Sequence, residues 1–218
     1  MGRHGGRFEM GSGRIAVIVL AAGRGSRFLA AEHKLAQPLG ASTVLGTTLE
    51  HALASRLDVV VVTTAALAPI ARHSIAARNV VVLAEVGADG APGLGMGASI
   101  ASGVSASSDA TGWLVLPGDM PLVRPETLLA VAARLADHPV VYAQHQGRRG
   151  HPVGFAAELY TELVMLAGDE GARRLVARYP SLAVDVPDAG VLVDVDTTED
   201  LTRLRQRWPG QPQPAVAS

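Results

Sequence analysis

The sequence predicts an α/β fold built on a mostly parallel sheet with helices on both faces. Two observations carry this expectation. Residues 15–20, 58–64, 79–84 and 112–117 are runs of β-branched and other apolar residues at consecutive positions, the pattern of strands covered on both sides. Stretches with apolar residues at helical spacing lie between them, and strands alternating with helices favour parallel order.

The elements follow in order. The first helix is expected at 44–55, where Leu45, Leu49, Ala52 and Leu53 share a face and Ser42 can cap the start. An alanine-rich helix is expected at 65–77, another at 96–107, and another at 125–137, where Pro125 suits the first turn. The second half is less regular. Residues 140–144 read as a strand, and 148–155 as a loop entering a short strand. Helices are expected at 156–166 and 170–179, short strands near 182–186 and 191–195, and a last helix from about 198 to 208. No Pro/Gly linker divides two cores. The expected organisation is therefore one domain at 14–208, with a flexible extension at 1–13 and a disordered Pro- and Ala-rich tail at 209–218.

Composition narrows the function classes. The 218 residues are 48% hydrophobic and 18% charged, with net charge −1. That suffices for a core and gives no global field towards nucleic acid or a membrane surface. The apolar runs are far shorter than the roughly 18 residues of a membrane span, and residues 1–13 lack the apolar middle of a signal peptide. The absence of cysteine excludes disulfides, thiolate metal sites and a cysteine nucleophile, and fits a cytoplasmic protein. Of the 19 Lys and Arg residues only Lys34 is lysine.

The first strand runs into Leu20, Ala21, Ala22, Gly23, Arg24, Gly25, Ser26 and Arg27. In an open α/β sheet ligands bind beyond the carboxyl ends of the strands. A glycine-rich turn there lets backbone N–H groups approach phosphate oxygens. Arg24, Arg27 and Lys34 add a guanidinium fork or a compact point charge. A P-loop is excluded, because Lys34 is followed by Leu35 without the glycine spacing, and so is GxGxxG, because its third glycine is missing. Taken alone, the loop is equally a tight turn with solvated arginines. Asp119, directly after the strand at 112–117, suits Mg2+, which takes few protein oxygens and shares its other positions with water and phosphate. It would equally serve as a turn cap before Pro121. Thr197 and Thr198 can cap the last helix, with Glu199 and Asp200 in its first turn. Asp194 and Asp196, two apart, point the same way if that segment is a strand. Arg148 and Arg149 between glycines can clamp an anion, and the following His151-Pro152 suggests a fixed turn. No histidine ligand spacing or serine-nucleophile elbow occurs.

LAAGRGSRF…HKLAQPLG resembles the signature LAAGxGxRxG…PKLLxPL of the MobA-like nucleotidyltransferases. GDMP at 118–121 resembles that family's metal-aspartate motif, and DVDTTEDL at 194–201 its D-I-D-T-P-E-D-L segment. GMGASI at 95–100, GRRGHPV at 147–153 and GDEGAR at 168–173 are similar to segments of the molybdenum cofactor cytidylyltransferase branch. The likeness spans about residues 14–207, with motifs in family order. Two departures stand out: Leu29 where glycine is usual, and Ala-Ala-Glu-His before Lys34 in place of Gly-x-Pro.

The resemblance implies a three-layer α/β/α sandwich on a mostly parallel, Rossmann-like sheet of about seven strands, of the nucleotide-diphospho-sugar transferase type. It implies transfer of CMP from CTP to the phosphate of molybdopterin, with release of pyrophosphate and Mg2+ as cofactor. Arg27, Lys34 and Asp119 would be catalytic. Leu20, Ala21, Ala22, Gly23, Arg24, Gly25, Lys34, Gly95, Met96, Ser99 and Gly118 would bind nucleotide. Arg148, Arg149, His151 and Arg173 would bind the acceptor, and Asp119 with Asp196 the metal. A molybdoenzyme is a candidate recipient of the product; nucleic acid and membrane are not expected partners. GMP transfer, another phosphorylated acceptor, an NAD(P)-dependent oxidoreductase of the nicotine-blue type and a non-catalytic nucleotide-binding module are the alternatives.

Overall fold

The computed structural model describes residues 13–23, 32–84 and 95–206. The expected terminal segments before residue 13 and after residue 206 lie outside them. The elements in chain order are β1 (Ile15–Ala21), β2 (Pro38–Leu39), β3 (Ser42–Thr43), α1 (Val44–Ala54), β4 (Asp58–Thr64), α2 (Ala68–Ser74), β5 (Val80–Leu83), α3 (Gly95–Ala106) and β6 (Gly112–Pro117). Then come α4 (Pro125–Ala132), β7 (Val140–His145), β8 (Arg148–Ala156), α5 (Tyr160–Val164), α6 (Arg173–Arg178), β9 (Ser181–Asp185) and α7 (Thr198–Gln206).

Seven strands form one sheet in the order β5-β4-β1-β6-β8-β7-β9. All neighbouring pairs are parallel except the two made by β8. The central strand β1 shows why its sequence is apolar at every position. Val17, Val19 and Ala21 enter one core layer with Leu45 and Leu49 of α1, Leu128 of α4 and Leu201 of α7. Ala16 and Ile18 enter the opposite layer with Ile100 and Val104 of α3 and Leu163 of α5. Period-2 alternation is intact, but both faces are buried. Each large side chain placed there adds about 1.5–3 kcal/mol of hydrophobic stabilisation. The expected three layers are thus present.

Several elements differ from the sequence expectation. Thr43 rather than Ser42 caps α1, its Oγ1 accepting from the Gly46 N–H at 3.0 Å; Ser42 is held in the β2–β3 ribbon opposite Leu39. The 65–77, 125–137 and 170–179 helices shorten to α2, α4 and α6, and 156–166 divides into a 3-10 turn at Ala157–Leu159 and α5. Residues 148–156 form a nine-residue strand, not a loop. The turn that holds it is Gln146-Gly147, both at positive φ (50° and 75°), the geometry of a two-residue hairpin turn that twists with its strands.

The strand expected at 191–195 is a 3-10 turn, Ala189–Leu192, followed by chain that belongs to no strand. Asp188 sets this. It is 3% exposed and accepts from the Gly190 N–H at 3.0 Å, the Arg124 N–H at 2.9 Å and the Thr127 hydroxyl at 2.6 Å. One buried carboxylate therefore ties the start of α4 to the turn. Removing it strands three donors, at a cost of about 2–4 kcal/mol. Asp188→Ala should lower the urea midpoint accordingly; an unchanged midpoint would remove Asp188 as a structural pin.

Candidate active site

β1, β4, β5 and β6 end on one edge of the sheet, and β8, running the other way, begins there. An open cleft of about 1090 Å3 lies along this edge. That exceeds a typical single small-ligand pocket of roughly 300–1,000 Å3 and leaves room for two substrates.

Lys34, Asp119 and Asp196 meet at the centre of the cleft. Asp119 is brought there by the end of β6. The Gly118 N–H donates to the Leu20 carbonyl at 2.8 Å, and a Cβ on Gly118 would lie 2.9 Å from that oxygen, so glycine lets the two strand ends lie together. The Val195 N–H donates to the Asp119 carbonyl at 2.9 Å, docking the segment that carries Asp196. Beyond Asp196, Thr197 and Asp200 cap α7 reciprocally. The Thr197 hydroxyl accepts from the Asp200 N–H at 3.1 Å, and the Asp200 carboxylate accepts from the Thr197 N–H at 2.9 Å. Glu199 and Asp200 thus have the structural place in the first turn of α7 that their sequence position suggests. Lys34 opens a single 3-10 turn, Lys34–Ala36, anchored by buried Leu35.

The Lys34 ammonium donates to Asp119 Oδ2 at 2.6 Å and to Asp196 Oδ1 at 2.7 Å. The three side chains are only 12%, 17% and 23% exposed, so solvent screens them incompletely. Burial alone would lower the Lys34 pKa; the Asp119 and Asp196 carboxylates outweigh it and hold the pKa above its ordinary value. Burial and then Asp196 push the Asp194 carboxyl up. Asp119 Oδ1 is buried without a hydrogen-bond partner. Two converging carboxylates with an unpartnered buried oxygen suit a divalent cation that completes its shell with phosphate and water. No group of three or more His, Cys, Asp or Glu that could hold a metal occurs among the described residues.

His33, which sequence reading did not single out, joins the two ends of the first loop. Its Nδ1 accepts from the Leu35 N–H at 3.2 Å, and its Nε2 donates to the Gly23 carbonyl at 2.9 Å. Accepting at Nδ1 places the hydrogen on Nε2. His33 has φ −58° and ψ 139°, a backbone that proline also adopts. Two bonds of about 1 kcal/mol each correspond to roughly a thirtyfold change in binding. His33→Ala should raise KM for the nucleotide about thirtyfold with little change in kcat. Equal KM in wild type and His33→Ala would dismiss this role.

The far wall of the cleft is β8. Between Tyr142, paired with Val153, and Gln144, paired with Arg149, β7 advances two residues while β8 covers four. Gly150, His151 and Pro152 thus face the single residue Ala143, a bulge of the kind that re-aims side chains beside a site. The His151-Pro152 pair therefore lies within a strand, not in a turn. Exposed Arg149 lies with its guanidinium 4.5 Å from the Tyr142 ring centre, which preorganises it. Burial lowers the His151 pKa from 6.5, with the Val115 backbone and Asp119 opposing, so its imidazole is neutral near pH 7. Its Nδ1 is buried without a partner.

The 95–100 and 168–173 segments meet. Gly95 has φ +68°, and a Cβ there would fall 2.3 Å from the Gly168 carbonyl oxygen, which accepts from the Gly97 N–H at 2.8 Å. Leu20, Ala22, Gly23, Lys34, Gly95, Met96, Ser99, Asp119, Arg148, Arg149, His151, Arg173 and Asp196 all line the cleft. Ala21 and Gly118 do not: Ala21 is fully buried in the core, and Gly118 lies behind the wall against β1. Arg24, Gly25 and Arg27 lie outside the described residues. Thr64 and Leu83, at the ends of β4 and β5, and Asp169 also line the cleft. The strand-end rule could have found the first two; Asp169 lies within the GDEGAR segment, in which only Arg173 was assigned a role.

A family model described as the MobA-like NTP transferase domain matches residues 17–184. The purine catabolism protein PucB of Bacillus subtilis (strain 168) is 30% identical over 202 residues, covering 87% of this chain and 95% of its own length. Among solved structures, Rv0371c from Mycobacterium tuberculosis H37Rv has a TM-score of 0.74 at 30% identity, covering 89% of this chain and 98% of that one. Its complex with manganese gives 0.70 at 28% identity, covering 89% and 99%. A nucleotidyl transferase from Methanothermobacter thermautotroptrophicus (Mth528) gives 0.71 at 26% identity, covering 89% and 97%.

Proposed function

This chain belongs to the MobA-like NTP transferase family, and we propose that it transfers CMP from CTP to the phosphate of molybdopterin or the molybdenum cofactor, releasing pyrophosphate. The observation that carries the transferase reading is the convergence of Lys34, Asp119 and Asp196 at the strand-end edge of the cleft. The cytidine and molybdopterin assignments rest on the sequence likeness of LAAG, GMGASI, GDMP, DVDT and GRRGHPV to the cytidylyltransferase branch.

An oxygen of the acceptor phosphate forms a bond to the α-phosphorus. The bond from that phosphorus to the bridging oxygen breaks, and the electron pair leaves with pyrophosphate. No covalent enzyme intermediate is needed, so the chain's task is positioning and charge stabilisation. Lys34 and Arg27 hold the departing phosphates. Asp119 and Asp196 would hold a divalent cation, assigned as Mg2+, and that cation would supply charge neutralisation at the reacting phosphates. The manganese complex of Rv0371c supports a divalent metal. Arg148, Arg149 and Arg173 take the anionic acceptor, and His151, neutral, shapes the wall beside them. Leu20, Ala22, Gly23, Gly95, Met96 and Ser99 frame the nucleotide. A cytoplasmic protein that passes its product to a molybdoenzyme fits this reading; no helix among the described residues is long and apolar enough to cross a membrane.

The test is pyrophosphate release with Mg2+, molybdopterin and each of the four NTPs. CTP should be used fastest. Preference for GTP would reassign the base. NAD(P)H oxidation without NTP turnover would replace the transferase by a reductase, and no pyrophosphate with any NTP would sink the proposal.

A further inference from the structure

We infer that Lys34 and the divalent cation use the same pair of carboxylates in turn, the ammonium leaving for the triphosphate as the cation binds, so that metal and nucleotide each require the other. This rests on the proposed metal and phosphate roles and adds to them how the two ligands are coupled.

The geometry leads there directly. One ammonium sits within 2.7 Å of both Asp119 Oδ2 and Asp196 Oδ1. Among the described residues no third ligand group supplements those two carboxylates as a metal site. A cation held by both must displace the ammonium, since two positive ions do not share the same lone pairs at contact distance. A displaced ammonium in a partly buried site is costly unless another anion receives it. A triphosphate is that anion, and the flexible four-carbon stem of lysine allows the transfer where a guanidinium fork would hold both carboxylates. The unpartnered Asp119 Oδ1 gives the incoming cation a first contact before the ammonium leaves. By linkage, nucleotide that stabilises the displaced lysine tightens metal binding by the same factor that metal tightens nucleotide binding.

Lys34 is the only lysine in the chain, so protein labelled with [13Cε]lysine gives one lysine signal. We expect that signal to stay in place with Mg2+ alone at 1 mM, and to move when α,β-methylene-CTP or α,β-methylene-GTP is added with Mg2+. We also expect Lys34→Met to bind Mn2+ without nucleotide at least tenfold tighter than wild type by electron paramagnetic resonance, with folding checked by circular dichroism. Movement on Mg2+ alone overturns the mutual dependence. A signal that never moves, in protein whose Mn2+ binding is lost in Asp119→Asn, overturns the exchange and leaves the metal assignment standing. No Mn2+ binding with or without nucleotide overturns both.

Discussion

Asp119→Ala is expected to lower kcat for pyrophosphate release by at least about 10²–10³-fold, the scale of losing one preorganised charge at a transition state, with the fold retained. The side chain makes no hydrogen bond that holds a secondary element in place; the docking of the 193–196 segment uses the Asp119 backbone carbonyl instead. Lys34 keeps its second partner, Asp196, so no unpaired buried charge is created. Loss of turnover should therefore appear without loss of the thermal transition. The check is steady-state pyrophosphate release beside a melting curve. Turnover near wild type in a folded variant would take Asp119 out of the metal site.

Lys34→Arg is the second large effect. The charge is conserved, so a role limited to net charge predicts little change. The structure predicts otherwise. A planar fork with five donors matches two carboxylates better than a phosphate that must be reached by leaving them. Arginine would hold Asp119 and Asp196 together and keep the pair from the cation. A loss of about 10²-fold in kcat/KM is expected, on the scale of a misplacement of about 1 Å, and raising Mg2+ should recover part of it. Near-normal activity at low Mg2+ would reduce Lys34 to an ordinary surface cation.

Much of this was legible in the chain because the strongest signals are physical ones. β1, β4 and β6 are apolar at successive positions because helices cover both faces, and nothing else in the sequence competes with that pattern. β8 was not legible as a full strand. Its first five residues are Arg-Arg-Gly-His-Pro, which carry neither alternation nor β-branching; the hairpin turn and the pairing of Arg148 and Arg149 with β7 extend the strand to them. The run at 191–195 misled in the opposite direction. Its valines fit a strand, but Asp188 curls the chain first, and the segment is docked by the Val195 N–H. In the site, Lys34 and Asp119 stood out by their charge in the loops after β1 and β6, and Asp196 through the likeness of DVDTTEDL to the family segment. His33 did not, since its role depends on backbone groups at Gly23 and Leu35 that no residue pattern reveals. Ala21 belonged to the quoted motif, yet its side chain faces the core, because a motif does not say which face of a strand a residue occupies.

The reversed run of β8 has a consequence for how such a protein can change its specificity. On the proposed reading, the nucleotide side is assembled from loops after several parallel strands, each tied to the central packing. Most of the acceptor side comes from the beginning of one hairpin with a two-residue turn. That hairpin works as an exchangeable cassette: its tip and bulge can be rewritten for a new second substrate while the sequence that binds the first is left untouched.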